Sequence, residues 1–303
     1  MLPRNVRSTL TAALAVLVAL PAAATAQVVL EEQSNFGPAL AQMGSNIFLS
    51  WTGRDSKINV MRSSDGIDFR AKILLEERTA NPPTLASLGD RLFLAWTGRD
   101  GKINVMRSED GIDWGGKITM EEQSLTDPGL VALEGRLYLV WRGRDDKINI
   151  MRSQDGIDWG GKVTLEEQTA QRPAFTSMEG RLFVAWTGRD GKLNVMRSSD
   201  GIDWGGKVIL EERSNVGPGL ATFDGRIFLT WAGRDMKLNV MRSSEGIDWG
   251  GKVILEDQTT VSPILTALGE RMYLGFTGRP NNQRQQEGMK LNIRRSADGI
   301  DWR

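Results

Sequence analysis

The sequence predicts an all-β fold, a six-bladed β-propeller with four antiparallel strands per blade. Three observations carry that reading. Trp51, Trp96, Trp141, Trp186 and Trp231 stand 45 residues apart, and Phe276 continues the series; a repeat of about 40–50 residues is the length of one propeller blade. Each unit divides into short apolar segments separated by Gly/Asp turns, with no helical period. The two ends of the chain also complement each other.

The repeats span 28–72, 73–117, 118–162, 163–207, 208–252 and 253–303. In the second, PTLASL (83–88) is a short apolar strand. RLFLAWT (91–97) is apolar on both faces, as an interior strand between two sheets requires. KINVMRS (102–108) follows a GRDG turn, and WGGKITMEE (114–122) follows an EDGI turn. A helical solenoid of this period would need two amphipathic helices per unit, for which these glycines and β-branched residues are unsuited.

The last repeat stops at IDWR, ending on Arg303, and lacks the KVxLEE segment that follows the other copies. QVVLEEQ (27–33) aligns with KILLEER (72–78) at one period's offset. The N-terminal segment is therefore expected to complete the last blade, closing the ring and removing free sheet edges. Each second-strand tryptophan would bury about 150–250 Å². An isolated blade cannot supply that cover, whereas stacked neighbours can.

Residues 1–26 read as a signal peptide. Two arginines in MLPRNVR precede the apolar run TLTAALAVLVAL, and PAAATA ends in small residues at Ala24 and Ala26. The run is shorter than the roughly 20 residues of a membrane span. Cleavage after Ala26 would place the propeller, 27–303, outside the cell or in a periplasm. Without Arg4 and Arg7 the chain carries 36 basic and 38 acidic residues, a balance that attracts neither nucleic acid nor a membrane surface. The absence of Cys and His excludes disulfides, zinc sites, Cys–His pairs and Ser–His–Asp triads.

The motif RSEDGIDWGGK (107–117) recurs in six near-copies. Its Ser and acid pairs are Ser63 and Asp65, Ser108 and Asp110, Ser153 and Asp155, Ser198 and Asp200, Ser243 and Glu245, and Ser296 and Asp298. These side chains can accept backbone N–H groups inside the turn, and the glycine supplies a positive φ. The expected role is structural, with no cofactor. The alternative is a weak Ca²⁺ site at the Asp-Gly-Ile-Asp turns, although calcium takes about six to eight oxygens and Glu245 interrupts the series. The turn resembles the Asp-box of the sialidase-type propellers, Ser-x-Asp-x-Gly-x-Thr-Trp. Ser108, Asp110, Gly111 and Trp114 match it, with one residue fewer between Asp and Gly. The resemblance implies structural turns on the face opposite the active site.

Function is then sought on the other face. The loops between second and third strands carry Arg54–Asp55, Arg99–Asp100, Arg144–Asp145, Arg189–Asp190 and Arg234–Asp235, with Arg279 sixth in TGRPNNQRQQEGM (277–289). Two readings are open: a ring of guanidiniums for carboxylates, sulfates or sugar hydroxyls, with a Trp three residues upstream, or surface Arg–Asp pairs that fix the turn. The segments before the first strands diverge as NFG (35–37), ANP (80–82), LTD (125–127), AQR (170–172), NVG (215–217) and TVS (260–262). They nominate Asn81, Asp127 and Arg172 at the mouth of the central channel, against a reading of solvated drift. Blade six inserts eight residues after Arg279 and carries Phe276 for Trp and Arg294 for the usual Met. That loop is either a specificity element or a tolerated insertion.

The sialidase resemblance also implies three arginines on a substrate carboxylate, a Tyr–Glu nucleophile pair and an Asp acid. Here Tyr138 and Tyr273 align with Phe93, Phe183 and Phe228 inside the second strand, and the FRIP-like arginine signature is missing. Glycoside hydrolysis needs one matched carboxyl pair in one cleft, so no catalytic residue is expected. In architecture alone the ring is similar to the fungal fucose-binding propeller lectins. The expectation is a secreted, monomeric, non-catalytic propeller that binds glycans multivalently. A protein-interaction scaffold and a sialidase-like glycoside hydrolase are the alternatives.

Overall fold

A computed structural model describes residues 27–278 and 289–303. The chain opens with β1 (Val28–Gln33) and then builds blade one from β2 (Ala39–Met43), β3 (Asn46–Thr52), β4 (Lys57–Ser63) and β5 (Arg70–Arg78). Blade two is β6 (Thr84–Leu88), β7 (Arg91–Thr97), β8 (Lys102–Ser108) and β9 (Gly115–Gln123). Blade three is β10 (Gly129–Leu133), β11 (Arg136–Arg142), β12 (Lys147–Ser153) and β13 (Gly160–Gln168). Blade four follows with β14 (Ala174–Met178), β15 (Arg181–Thr187), β16 (Lys192–Ser198) and β17 (Gly205–Arg213). Blade five is β18 (Gly219–Phe223), β19 (Arg226–Ala232), β20 (Lys237–Ser243) and β21 (Gly250–Gln258). The last contains β22 (Ile264–Leu268), β23 (Arg271–Gly278) and β24 (Lys290–Ser296).

The predicted closure is present. β1 pairs antiparallel with β24, Val28 opposite Ile293 and Val29 opposite Asn292, so the sixth sheet runs β1-β24-β23-β22. The innermost strands β2, β6, β10, β14, β18 and β22 pack side by side, with β2 against β22 completing the circle. Each blade is offset from the sequence repeat, because the repeat begins in the outer strand of the preceding blade.

The tryptophans of β3, β7, β11, β15 and β19 are 0–1% exposed. A lysine of the same blade's outer strand lies over each ring, at 5.3–5.6 Å from Lys72, Lys117, Lys162, Lys207 and Lys252. That lysine also pairs with a glutamate on the outer strand of the preceding blade: Lys72 with Glu32 and Lys117 with Glu77, both at 2.6 Å. Lys162–Glu122, Lys207–Glu167 and Lys252–Glu212 repeat the arrangement. A cation held over an aromatic face is worth about 0.5–1 kcal/mol at an exposed site, and a surface ion pair adds a similar or smaller amount.

Blade six breaks this clasp and rebuilds it. Gln27 occupies the lysine position, Phe276 the tryptophan position and Asp257 the glutamate position. The missing cation is supplied by Arg294 on the third strand, whose Nε and Nη2 donate to the two oxygens of Asp257 at 2.6 and 3.1 Å. The sequence marks Arg294 as an irregularity, and the fold gives its reason.

The repeated acidic turns lock the opposite side of each blade to its neighbour. In blade two the Ser108 hydroxyl accepts the Gly111 N–H at 2.8 Å. Asp110 Oδ1 accepts the N–H groups of Ile112 and Asp113 at 2.8 and 2.9 Å, and Trp114 Nε1 donates to the Gly111 carbonyl. Gly111 has φ 74°, and a Cβ there would lie 1.9 Å from Phe48 Cε1 in the preceding blade. The other five glycines meet Tyr273, Phe93, Tyr138, Phe183 and Phe228 in the same way. Both tyrosines are buried, at 3–4% exposure, in the aromatic column under these turns. Glu245 is one methylene too long: Ser243 still accepts two backbone N–H groups, but no backbone bond to the Glu245 carboxylate forms.

Three outcomes are expected. Gly111→Ala combines a strained φ with a steric clash and should lower unfolding free energy by about 3 kcal/mol in urea titration; a neutral result would remove the turn from the interblade lock. Arg294→Met leaves the largely buried Asp257 carboxylate without its partner and should cost about 2 kcal/mol. Adding Gln27→Lys to that variant should restore most of the loss by rebuilding the clasp used elsewhere. The third concerns acid. Backbone N–H groups hold the carboxyls of Asp110, Asp155, Asp200 and Asp298 below their ordinary range and that of Asp65 down to about 2. A depressed folded-state pKa gives stability that is present above the unfolded value and lost as pH falls through the folded one. The urea midpoint should thus decline from near pH 3.8 towards 2, and a midpoint level down to pH 2 would contradict the assignment.

Candidate functional site

The third strand of each blade runs from the GRD loop to the acidic turn, so the two sets lie on opposite faces, with the segments entering β2, β6, β10, β14, β18 and β22 on the GRD side. In the loops themselves, Asp55, Asp100, Asp145, Asp190 and Asp235 each accept the backbone N–H two residues on, at 2.9–3.1 Å. The aspartates therefore cap their own turns and form no ion pair with the adjoining arginines among the described residues. Gly53, Gly98, Gly143, Gly188 and Gly233 fit because a Cβ there would press on that carboxylate and on the Asn side chain below.

The arginines are left exposed. Arg54 donates to Gln33 Oε1 at 3.0 Å, and Arg189 Nη2 lies 2.9 Å from Asp146 Oδ2 of the preceding blade. Arg99, Arg144 and Arg234 have no polar partner among the described residues, and Arg279 with the insertion after it lies outside them. The tryptophan three residues upstream is no stacking platform. It is buried in the blade beneath its lysine, so a ligand at these arginines meets guanidinium and backbone, not an indole face.

Two further charges on this face escaped the sequence reading. Arg142 replaces the usual Thr, and Asp146 the usual Gly or Ser. Arg142 Nε donates to Asp146 Oδ1 at 2.9 Å and its Nη1 to the Ala170 carbonyl at 2.9 Å, while Asp146 also receives Arg189. Both guanidiniums hold the Asp146 carboxyl below its ordinary range. Their departure from the repeat was visible, but the third member, Arg189, joins only across the blade three–blade four seam.

At the ring axis a cavity of about 110 Å³ is lined by the starts of the inner strands, by Pro38, Pro82, Pro83 and Pro173, and by Arg172. Behind the cavity wall Arg172 meets Asp127, an opposite charge at 3.3 Å. They are not solvated: their side chains are 8% and 12% exposed. Burial pushes the Asp127 carboxyl up, and the charge of Arg172 opposes that shift. Arg172 Nη2 reaches on to the Pro263 carbonyl of blade six at 3.0 Å. It crosses blade five over Gly217, where a Cβ would fall 2.7 Å from Arg172 Cγ, and the Gly217 N–H donates to Ser262 Oγ at 2.9 Å.

Asn81 stands apart from this pair. Its backbone carbonyl accepts the Thr52 and Thr79 hydroxyls, at 2.7 and 3.0 Å, and Pro82, one residue on, lines the cavity at the repeat position that Arg172 holds in its own blade. No group of three or more Asp, Glu, His or Cys side chains converges among the described residues.

No protein-family model matches the sequence, and no curated protein matches it in sequence. Solved structures match the fold. A variant of AofleA from Arthrobotrys oligospora gives a TM-score of 0.69 at 12% identity, over 92% of this chain and 88% of that one. The Aleuria aurantia lectin AAL, as a variant in complex with Fucα1-6GlcNAc, gives 0.65 at 12% identity, over 92% and 96%. Trypanosoma rangeli sialidase in complex with sialic acid gives 0.57 at 14% identity, over 91% of this chain and 57% of that one. At these identities the likeness is one of fold, and the chain is a six-bladed β-propeller similar in shape to these three proteins.

Proposed function

We propose that this chain is a secreted, non-catalytic, monomeric propeller that binds glycans at several places on its GRD face. The observation that carries the reading is the set of exposed guanidiniums repeated around that face while the neighbouring aspartates cap their own turns. A guanidinium presents a planar fork of donors to sugar hydroxyls, carboxylates or sulfates. Single contacts of this kind are weak, near −4 kcal/mol for a millimolar site (about 1 mM), and several on one rigid ring gain about 10²–10⁴ in avidity on a glycan-coated surface. The lectin neighbours support the same reading through their shape. No metal enters it, so calcium or a chelator should leave binding unchanged.

A protein-interaction scaffold is favoured by a different feature. The acidic turns expose Ile67, Ile112, Ile157, Ile202, Ile247 and Ile300 on the far face, each 38–47% accessible, which gives a partner one apolar foothold per blade. A glycan array read against the Arg99→Ala/Arg144→Ala/Arg234→Ala variant separates the two. Binding of the unaltered protein to immobilised glycans, reduced about tenfold or more in the triple variant, is the expected result. A silent array, with a protein partner recovered whose binding depends on the isoleucine face, would replace the lectin reading. Turnover of a sialoside would overturn the non-catalytic assignment.

A further inference from the structure

The GRD face is not sixfold at its seams. Between blades six and one, Arg54 of the GRD loop donates to Gln33, the last residue of the neighbouring outer strand, at 3.0 Å. The 45-residue offset puts Arg78 with Arg99 at the seam between blades one and two, and Arg213 with Arg234 at the seam between blades four and five. Gln123, Gln168 and Gln258 hold that strand position at the other three seams. Two of the six seams therefore bring a second guanidinium beside the loop arginine.

The seam between blades three and four also holds two guanidiniums, and there the chain supplies an anion of its own. Asp146 bridges them, Oδ1 accepting Arg142 Nε and Oδ2 accepting Arg189 Nη2, both at 2.9 Å. The loop positions equivalent to Asp146 in blades one and four are Ser56 and Gly191, which carry no charge. A Cβ at Gly191 would meet only the Ser214 carbonyl, at 3.5 Å, so the place of the Asp146 side chain is open in that blade. Arg78 and Arg213 each commit one nitrogen, Nη1, to the backbone carbonyls of Asp55 and Asp190. The acids beside them in the chain are engaged elsewhere. Asp55, Asp100, Asp190 and Asp235 cap their own loops, and Glu76 and Glu211 pair with Lys57 and Lys192. Two cations at one seam repel each other, whereas an anion between them is attracted by both. The planar forks match the oxygens of a carboxylate or a sulfate.

We propose that these two seams are binding sites for the carboxylate or sulfate groups of an acidic glycan. Arg78 with Arg99, and Arg213 with Arg234, grip the anion as Arg142 and Arg189 grip Asp146. The proposal rests on the glycan reading of the GRD face and narrows it to a ligand class and to two sites per chain. The two seams are three blades apart, on opposite sides of the ring.

The test is calorimetric titration of the unaltered protein with a short oligogalacturonate, a sulfated dextran oligosaccharide and the uncharged parent of the latter. The expected result is two sites per chain for an anionic probe, with the uncharged probe bound about tenfold or more weakly. The two anionic arms distinguish carboxylate from sulfate. Arg78→Gln/Arg213→Gln installs the residue that the other four seams already carry, and affinity should fall about tenfold or more. Gln123→Arg should add a third site beside Arg144, and a stoichiometry that stays at two would overturn the pairing. Arg136→Gln/Arg226→Gln removes the same charge from the opposite face and should leave binding unchanged. An equal loss there would reduce the effect to net charge and overturn the proposal. Sugar binding indifferent to charge, or surviving Arg78→Gln/Arg213→Gln while the GRD triple variant abolishes it, would overturn the seam sites and leave the peripheral glycan reading standing. Silence with every probe and on the glycan array would overturn both.

Discussion

No blade here can bury its own aromatic residues. The second-strand Phe or Tyr is covered by the glycine turn of the following blade, and the Trp is capped at the rim by a lysine that also grips the preceding blade. Every blade is therefore finished by its neighbours, and the sixth by the first strand of the chain. This dependence makes the ring a cooperative object, and it explains why the repeat is so strict where blades touch. An added methyl at Gly111 or a lost cation at blade six damages an interface shared by two sheets.

Strictness at the interfaces throws the departures into relief. Blade six shows one kind: its cation moves from the outer strand to Arg294, so an ion pair between blades survives although none of its original members does. The axis shows another, where Asp127, Arg172, Gly217 and Ser262 differ from one another and fit together. The first is compensation within the scaffold. The second makes a sixfold frame asymmetric at its centre.

Much of the architecture could be read from the residues because β-sheet patterning and turn chemistry are local. The strands of blade two fall within a residue or so of their predicted ends, and the 45-residue offset places β1 beside β24. The site was less accessible for reasons that are equally physical. Trp96 sits three residues from Arg99 in sequence, but the strand carries it into the blade before the loop begins. Asn81 and Pro82 differ by a single step, and only the turn geometry decides which one faces the axis. Asp127 and Arg172 announce their charges in the sequence, yet the buried path of Arg172 depends on Gly217, on the next blade, having no side chain.

The closure by β1 has a mechanical side as well. The ring is a covalent chain everywhere except between β1 and β24, where Val28 lies opposite Ile293 and the C-terminal Arg303 pairs back onto Arg295. The start of β1 and the end of β24 therefore lie at the same end of one antiparallel pair. A pull that separates Val28 from Ile293 loads the hydrogen bonds of the seam in sequence, as in a zip, instead of together in shear. The seam is thus the junction at which the ring can open while every peptide bond stays intact.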